Sequence, residues 1–239
     1  MKSKILFSIL ILASLWSFAQ VGFNCQYVPG LQFGVSKVKS DLTKNNYSYR
    51  VGMPVMLIDY VSDRWYWNTD MTGVFYMLSA TNKSKTKEAT ENLARTDGAL
   101  FGFRMGRMFG EKKNLGGDDA MRIGFSLNAG YNQANIDSTK LSDVSKAYAY
   151  GSYGLGLIVY KKYKGFHTMG KIGYEALAKK PVKGKCIYLE GTLGVKIYQR
   201  FGLSVMPAMY FRSFDKFNDT DKKVKSSLFT LRFGFTKFF

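Results

Sequence analysis

The stretch Ser226-Ser227-Leu228-Phe229-Thr230-Leu231-Arg232-Phe233-Gly234-Phe235-Thr236-Lys237-Phe238-Phe239 ends the chain. Counting back by twos from Phe239 gives Lys237, Phe235, Phe233, Leu231 and Phe229, a face that is nearly all apolar. The other parity gives Phe238, Thr236, Gly234, Arg232, Thr230 and Leu228, with small and charged groups among them. A period of two places successive side chains on opposite faces of a strand, whereas a helix would scatter both sets.

The same alternation recurs upstream. Met121, Ile123, Phe125, Leu127, Ala129 and Tyr131 oppose Arg122, Gly124, Ser126, Asn128, Gly130 and Asn132. Ile187, Leu189, Gly191, Leu193, Val195 and Ile197 oppose Tyr188, Glu190, Thr192, Gly194, Lys196 and Tyr198. Phe101, Phe103 and Met105 oppose Gly102, Arg104 and Gly106. Residues 48–58 alternate through Tyr49, Val51, Met53, Val55 and Leu57, and residues 64–81 set Trp65, Trp67 and Met71 against Asn68, Asp70 and Thr72. Segments 147–160 and 166–178 are rich in Gly and Tyr, and 202–214 contains Pro207, which cannot donate to a ladder and predicts a bulge or local distortion there. With 31–40 as the first strand the count is ten; folding two of the weaker segments into loops would give eight. An even count puts both chain ends on one side of a membrane.

The first nineteen residues read as an address rather than as fold. Lys2 and Lys4 precede a short apolar run from Ile5 to Trp16, and Ser17-Phe18-Ala19 offers the small residues of a signal-peptidase site, with Gln20 as the mature start. The run is shorter than the ~20 residues a spanning helix needs. Residues 20–239 then make one domain. Its 16% aromatic content (counted over the whole chain), with 24 Gly and 4 Pro, favours β structure over a helical bundle.

Which face of such a sheet meets lipid is decided by the polar parity. It carries Arg50, Asp70, Arg104, Arg122, Lys171, Glu175, Glu190, Lys196, Arg212 and Arg232 among Gly, Ser, Thr and Asn. Inside a narrow barrel these groups can pair with one another; in hydrocarbon they would be prohibitively costly. Phe229, Leu231, Phe233, Phe235 and Phe239 then face the membrane, and aromatics near strand ends (Trp65, Trp67, Tyr131, Tyr160, Tyr198) suit interfacial girdles. The expected fold is all-β: a single antiparallel up-and-down transmembrane β-barrel in a bacterial outer membrane. A backbone in lipid must satisfy its own N–H and C=O groups, so the terminal strand is expected to pair with the first, with Phe239 at the seam. A water-soluble exported barrel, with the apolar face inward, is the competing architecture.

Short breaks at 59–63, 161–165 and 199–201 alternate with longer ones at 82–97, 137–146 and 215–225, as periplasmic turns alternate with outer loops. The break at 110–119 is long for a turn. Its Asp118-Asp119 after Gly116-Gly117 lacks the ligand spacing of a calcium loop and reads as an ordinary turn.

Without Lys2 and Lys4 the chain has 33 basic against 17 acidic residues, a formal +16. Nucleic acid does not suit an exported chain; the phosphates of outer-membrane lipids, including lipopolysaccharide, are the natural counter-charge. Lys83, Lys85, Lys87, Lys179, Lys180, Lys183, Lys185, Lys222, Lys223 and Lys225 are expected in outer loops, where they either meet such phosphates or are simply solvated. The inward charges read as a salt-bridge network filling a small barrel, with an anion-favouring water path as the alternative. Cys25 and Cys186 fall at opposite ends and are not expected to bridge. His167, the one histidine, falls near the periplasmic end and reads as structural. No cofactor or metal site is expected.

Together, the signal, the Gly- and aromatic-rich alternating strands and the terminal Phe resemble the PorT-like outer-membrane β-barrel-domain family. Val51-Gly52-Met53-Pro54-Val55 followed by Arg64-Trp65-Tyr66-Trp67-Asn68-Thr69-Asp70 is similar to that family's Gly-rich strand, short turn and strand with an inward acidic residue. The resemblance implies an eight- to ten-stranded barrel without catalysis, and a role in an outer-membrane assembly with other envelope proteins, such as secretion or gliding machinery. A small pore or solute-binding barrel and a lipid-modifying enzyme are the alternatives.

Overall fold

A computed structural model describes residues 22–27, 32–40, 43–52, 57–62, 64–71, 76–82, 98–110, 120–136, 146–179, 182–217 and 224–238. The signal expected at 1–19, the turn expected at 116–119, Lys83, Lys85, Lys87, Lys180, Lys222, Lys223 and Phe239 lie outside them. The described residues form β1 (Gly22–Tyr27), β2 (Gln32–Ser40), β3 (Thr43–Gly52), β4 (Leu57–Ser62), β5 (Trp65–Asp70), β6 (Tyr76–Asn82) and β7 (Gly98–Phe109). They continue through β8 (Ala120–Ile136), β9 (Lys146–Tyr163), β10 (Phe166–Lys179), β11 (Val182–Tyr198), β12 (Phe201–Phe217) and β13 (Val224–Phe238).

All pairings are antiparallel, and from β7 to β13 each strand pairs with the next in sequence, an up-and-down order. The sheet runs β1-β4-β5-β7-β8-β9-β10-β11-β12-β13-β2-β3-β6, with a further pairing between β13 and β1. Along β13, Val224 to Arg232 pair with β2, and Phe235 to Phe238 pair with β1. The terminal strand therefore meets 32–40, and also a segment, 22–27, for which no strand is expected from the sequence. Asp59 to Ser62, expected in a break, instead continue β4; all four pair with β1, and Asp59 to Val61 also pair with β5.

Alternation governs the sheet. In β8, Met121, Ile123, Phe125 and Leu127 are exposed while Arg122, Gly124, Ser126 and Asn128 are buried. Register joins the exposed set into continuous outward rungs. One runs Met105, Leu127, Leu155, Tyr174, Ile187, Phe211; the next runs Phe125, Leu157, Ile172, Leu189, Met209, Phe229. Leu155 and Leu127 are each 61% exposed. An apolar surface spanning seven adjacent strands is far larger than the isolated apolar patches of a water-soluble monomer.

Short connections show how the chain reverses. Lys164 and Gly165 join β9 to β10, and Gly165 takes φ 77°, which costs glycine no Cβ clash. Gln199 takes φ 45° in the β11–β12 turn. At the β4–β5 turn the Trp65 N–H donates to Ser62 Oγ at 2.9 Å. The Lys196 N–H donates to the Gly165 carbonyl at 2.7 Å, tying the β9–β10 turn to β11 near its end.

Several local expectations are corrected. The β10–β11 connection is residues 180–181 alone, so Lys179 belongs to β10, and Lys183 and Lys185 belong to β11 rather than to an outer loop. Lys225 likewise belongs to β13. At Pro207 the expected distortion takes the form of a gap and not a bulge: the β11–β12 ladder omits Gly191 and Thr192, and Leu193↔Val205 resumes the register of Glu190↔Ala208. Pro207 points outward and its missing donor is absorbed by that two-residue gap. Leu57 turns inward, buried against Met206, which puts Asp59 on the inner face with it.

Candidate functional site

The inner face holds a cross-sheet cluster whose hub is Glu190 on β11. Its Oε1 and Oε2 accept from Arg104 Nη1 on β7 at 2.8 and 2.7 Å. Glu190 Oε2 lies 2.8 Å from Lys171 Nζ on β10, and Oε1 accepts from the Tyr210 hydroxyl on β12 at 2.9 Å. Contacts between non-neighbouring strands such as β7 and β11 require the sheet to curl around this face.

A second carboxylate extends the chain. Lys171 Nζ donates to Asp59 Oδ1 and Oδ2 at 3.2 and 3.0 Å. Asp59 Oδ1 also accepts from the Tyr66 hydroxyl at 2.7 Å and from Asn68 Nδ2 at 3.1 Å. On the other flank, Arg104 Nη2 is 3.8 Å from Glu175 Oε1, and its guanidinium lies 4.3 Å over the Tyr188 ring. Arg232 Nη2 donates to the Tyr210 hydroxyl at 3.2 Å. Asp59–Lys171–Glu190–Arg104–Glu175 thus alternate in sign across the interior. Alternation lets each desolvated charge be met by an opposite one, the condition under which buried ions are tolerated.

Of the sequence-derived inward set, Asp70, Arg104, Arg122, Lys171, Glu190, Arg212 and Arg232 are buried, and Glu175 is nearly so. Lys196 shares their parity but is exposed at the turn end of β11, outside the cluster. Arg50 sits on β3, opposite Gly34 and Ser79, and its side chain lies outside the described part. Phe229, Phe233 and Phe235 are exposed on the outer face, with Leu231 partly so. Asp59, Tyr66, Tyr188 and Tyr210 join the cluster without having been candidates. An acid between the apolar Val55 and Val61 was the available signal for Asp59; the tyrosines carry none beyond their abundance.

Tyr188 lies over two glycines on neighbouring strands, in register as Gly156↔Gly173 and Gly173↔Tyr188. A Cβ at Gly156 would stand 2.2 Å from the Tyr188 hydroxyl and 2.9 Å from Ser126 Oγ. The hydroxyl accepts from Asn128 Nδ2 at 2.7 Å, so the ring cannot swing away without breaking that bond. Gly156→Ala is expected to destabilise the fold by about 1–3 kcal/mol. In a double-mutant cycle of unfolding free energies, Tyr188→Phe should recover part of that loss; additive effects would mean the two positions do not touch.

On the short-turn side of the cluster, Val61, Tyr66, Met108, Ile158, Tyr160 and Met169 pack as an apolar plug. His167 is fully buried beside it, 6.0 Å from the Tyr160 ring centre, with its imidazole where a Cβ on Gly194 would be. On the opposite side a cavity of about 50 Å³ is lined by Asp70, Arg104, Glu175, Tyr210, Arg212 and Arg232 among others. Cys186, which also lines it, is a free thiol. Among the described residues, no group of three or more His, Cys, Asp or Glu side chains could hold a metal ion.

No protein-family model matches the chain, and no curated protein sequence matches it. Among solved structures, it is similar to the outer membrane protease OmpT from Escherichia coli, with a TM-score of 0.41 and 10% identity over 91% of this chain and 97% of that one. It is also similar to a deltaS2 mutant of the TodX monoaromatic hydrocarbon channel (TM-score 0.30, 9% identity, 91% and 90% covered). A loop L8 deletion mutant of OmpT, an outer membrane protein of Vibrio cholerae, gives a TM-score of 0.22 and 6% identity, with 89% and 99% covered.

Proposed function

We propose that this chain is a ten-stranded, closed β-barrel of the bacterial outer membrane, exported by a removable signal at residues 1–19. In this reading it is a non-catalytic structural or accessory component of an outer-membrane assembly. The observation that carries the reading is the inversion of the sheet: an apolar outer face over seven strands and an ionic network on the buried inner face. Water would favour the opposite arrangement; hydrocarbon outside and paired charges inside favour this one.

Closure follows if β1–β2, β3–β4 and β5–β6 are each one interrupted strand. The thirteen segments then make ten passes, and the pairings of β13 with β1 and β2 supply the seam. The ionic cluster and the apolar plug occupy the lumen in succession, which supports an occluded barrel rather than a diffusion pore. The resemblance to the PorT-like family supports a place in secretion or gliding machinery. A solute-binding barrel is the second reading, favoured by the arginine-lined cavity beside the cluster.

The full chain in planar bilayers is expected to give no conductance steps. Cross-linking in cells, followed by purification, is expected to recover a discrete envelope protein. Regular conductance steps would contradict occlusion, and repeated recovery of the chain alone would contradict the assembly role.

A further inference from the structure

Lys185, Ser213 and Lys225 form one outward rung across β11, β12 and β13, in register as Lys185↔Ser213 and Ser213↔Lys225. The adjacent rung is Ile187, Phe211 and Ser227. Both lysines, Ile187 and Phe211 are exposed, whereas the two serines are too short to fill the space between them. The result is a groove of about 270 Å³ on the outer face, with mainly apolar walls and lysines along one edge. Lys183 is exposed one outward position farther along β11, and Lys39 is the register partner of Lys225 on β2.

We propose that this groove binds lipid A, with headgroup phosphate held by Lys185 and Lys225 and an acyl chain laid against Ile187 and Phe211. The inference rests on the membrane-barrel reading. Basic side chains bordering an apolar belt lie at the depth where headgroup phosphates lie, and an ammonium there is complementary in charge to a phosphate. Apart from 110–119, the longer connections, 83–97, 137–145 and 218–223, all lie at the lysine end of the sheet, with 164–165 and 199–200 at the other. In a barrel the end with the longer connections faces outward, and the phosphate-bearing lipid of the outer leaflet is lipid A. The serines give an acyl chain a seat that bulkier residues would deny it.

Native mass spectrometry of the full chain in detergent, titrated with bisphosphorylated lipid A, tests the proposal. Binding is expected to be tighter than for dephosphorylated lipid A. Lys185→Glu with Lys225→Glu should weaken it at least about tenfold, and Ser213→Trp, which fills the groove and leaves the charges, should weaken it as well. Lys161→Glu with Lys164→Glu, at the short-turn end, should leave it unchanged. Wild-type binding by the Lys185/Lys225 variant, equal binding of the dephosphorylated lipid, or an equal loss in the Lys161/Lys164 pair overturns the groove. A gel run of each sample with and without boiling separates the two levels. A heat-shifted band with lipid-indifferent binding sinks the groove alone, whereas no heat-shifted band for the wild type sinks the barrel reading beneath it.

Discussion

Glu190→Ala is expected to lower the unfolding free energy by about 3 kcal/mol, the lower end of what removing one partner of a buried ion pair does. The size follows from who is left behind. Lys171 keeps Asp59 at 3.0 Å, but the only carboxylate left to Arg104 is Glu175, at 3.8 Å. Arg104, with its side chain 10% exposed, becomes a desolvated guanidinium without the carboxylate that accepts from its Nη1. Its removal should therefore undo much of the damage: Glu190→Ala with Arg104→Met is expected to be more stable than Glu190→Ala alone. Urea unfolding, followed by loss of the compact gel band, checks both. Equal stability of the single variant and the wild type would mean that Glu190 is not the hub; a double variant worse than the single would mean that the orphaned cation is not the cause.

How much of this was legible in the sequence depends on what each residue faces. Strands β8, β11 and β13 follow a period of two because one parity is held apolar along the middle of the outer face, so local sequence is sufficient. β1 escapes because it is only six residues long: Phe23, Cys25 and Tyr27 do alternate with Gly22, Asn24 and Gln26, but so short a run is not distinctive, and its partner β13 lies over two hundred residues away. The inner-face charges were visible as a parity, but their partners were not. Arg104 and Glu190 are 86 positions apart, and Lys171 and Asp59 are 112 apart. Periodicity says which face a side chain takes and nothing about which distant strand it meets. Asp59 was read as part of a break because acids mark turns; its neighbours Leu57 and Val61, both buried, show it to be an inward acid within a strand. Tyr66, Tyr188 and Tyr210 were harder still. A tyrosine fits either face, since its ring suits the belt and its hydroxyl suits the cluster.

Leu155→Arg addresses the outer face itself. Leu155 lies at the middle of β9, is 61% exposed, and is flanked in register by Leu127 and Tyr174. Ile197, 66% exposed, lies near the turn end of β11. An arginine at the bilayer midplane costs about 2–4 kcal/mol, and one near the interface about 0–1 kcal/mol. On a water-facing surface either substitution would stay within about 0.5 kcal/mol. The measurement is the folding free energy of the full chain into lipid bilayers for wild type, Leu155→Arg and Ile197→Arg. A transmembrane barrel predicts a loss of about 2–4 kcal/mol at Leu155 and little at Ile197; losses within about 0.5 kcal/mol at both positions would contradict it.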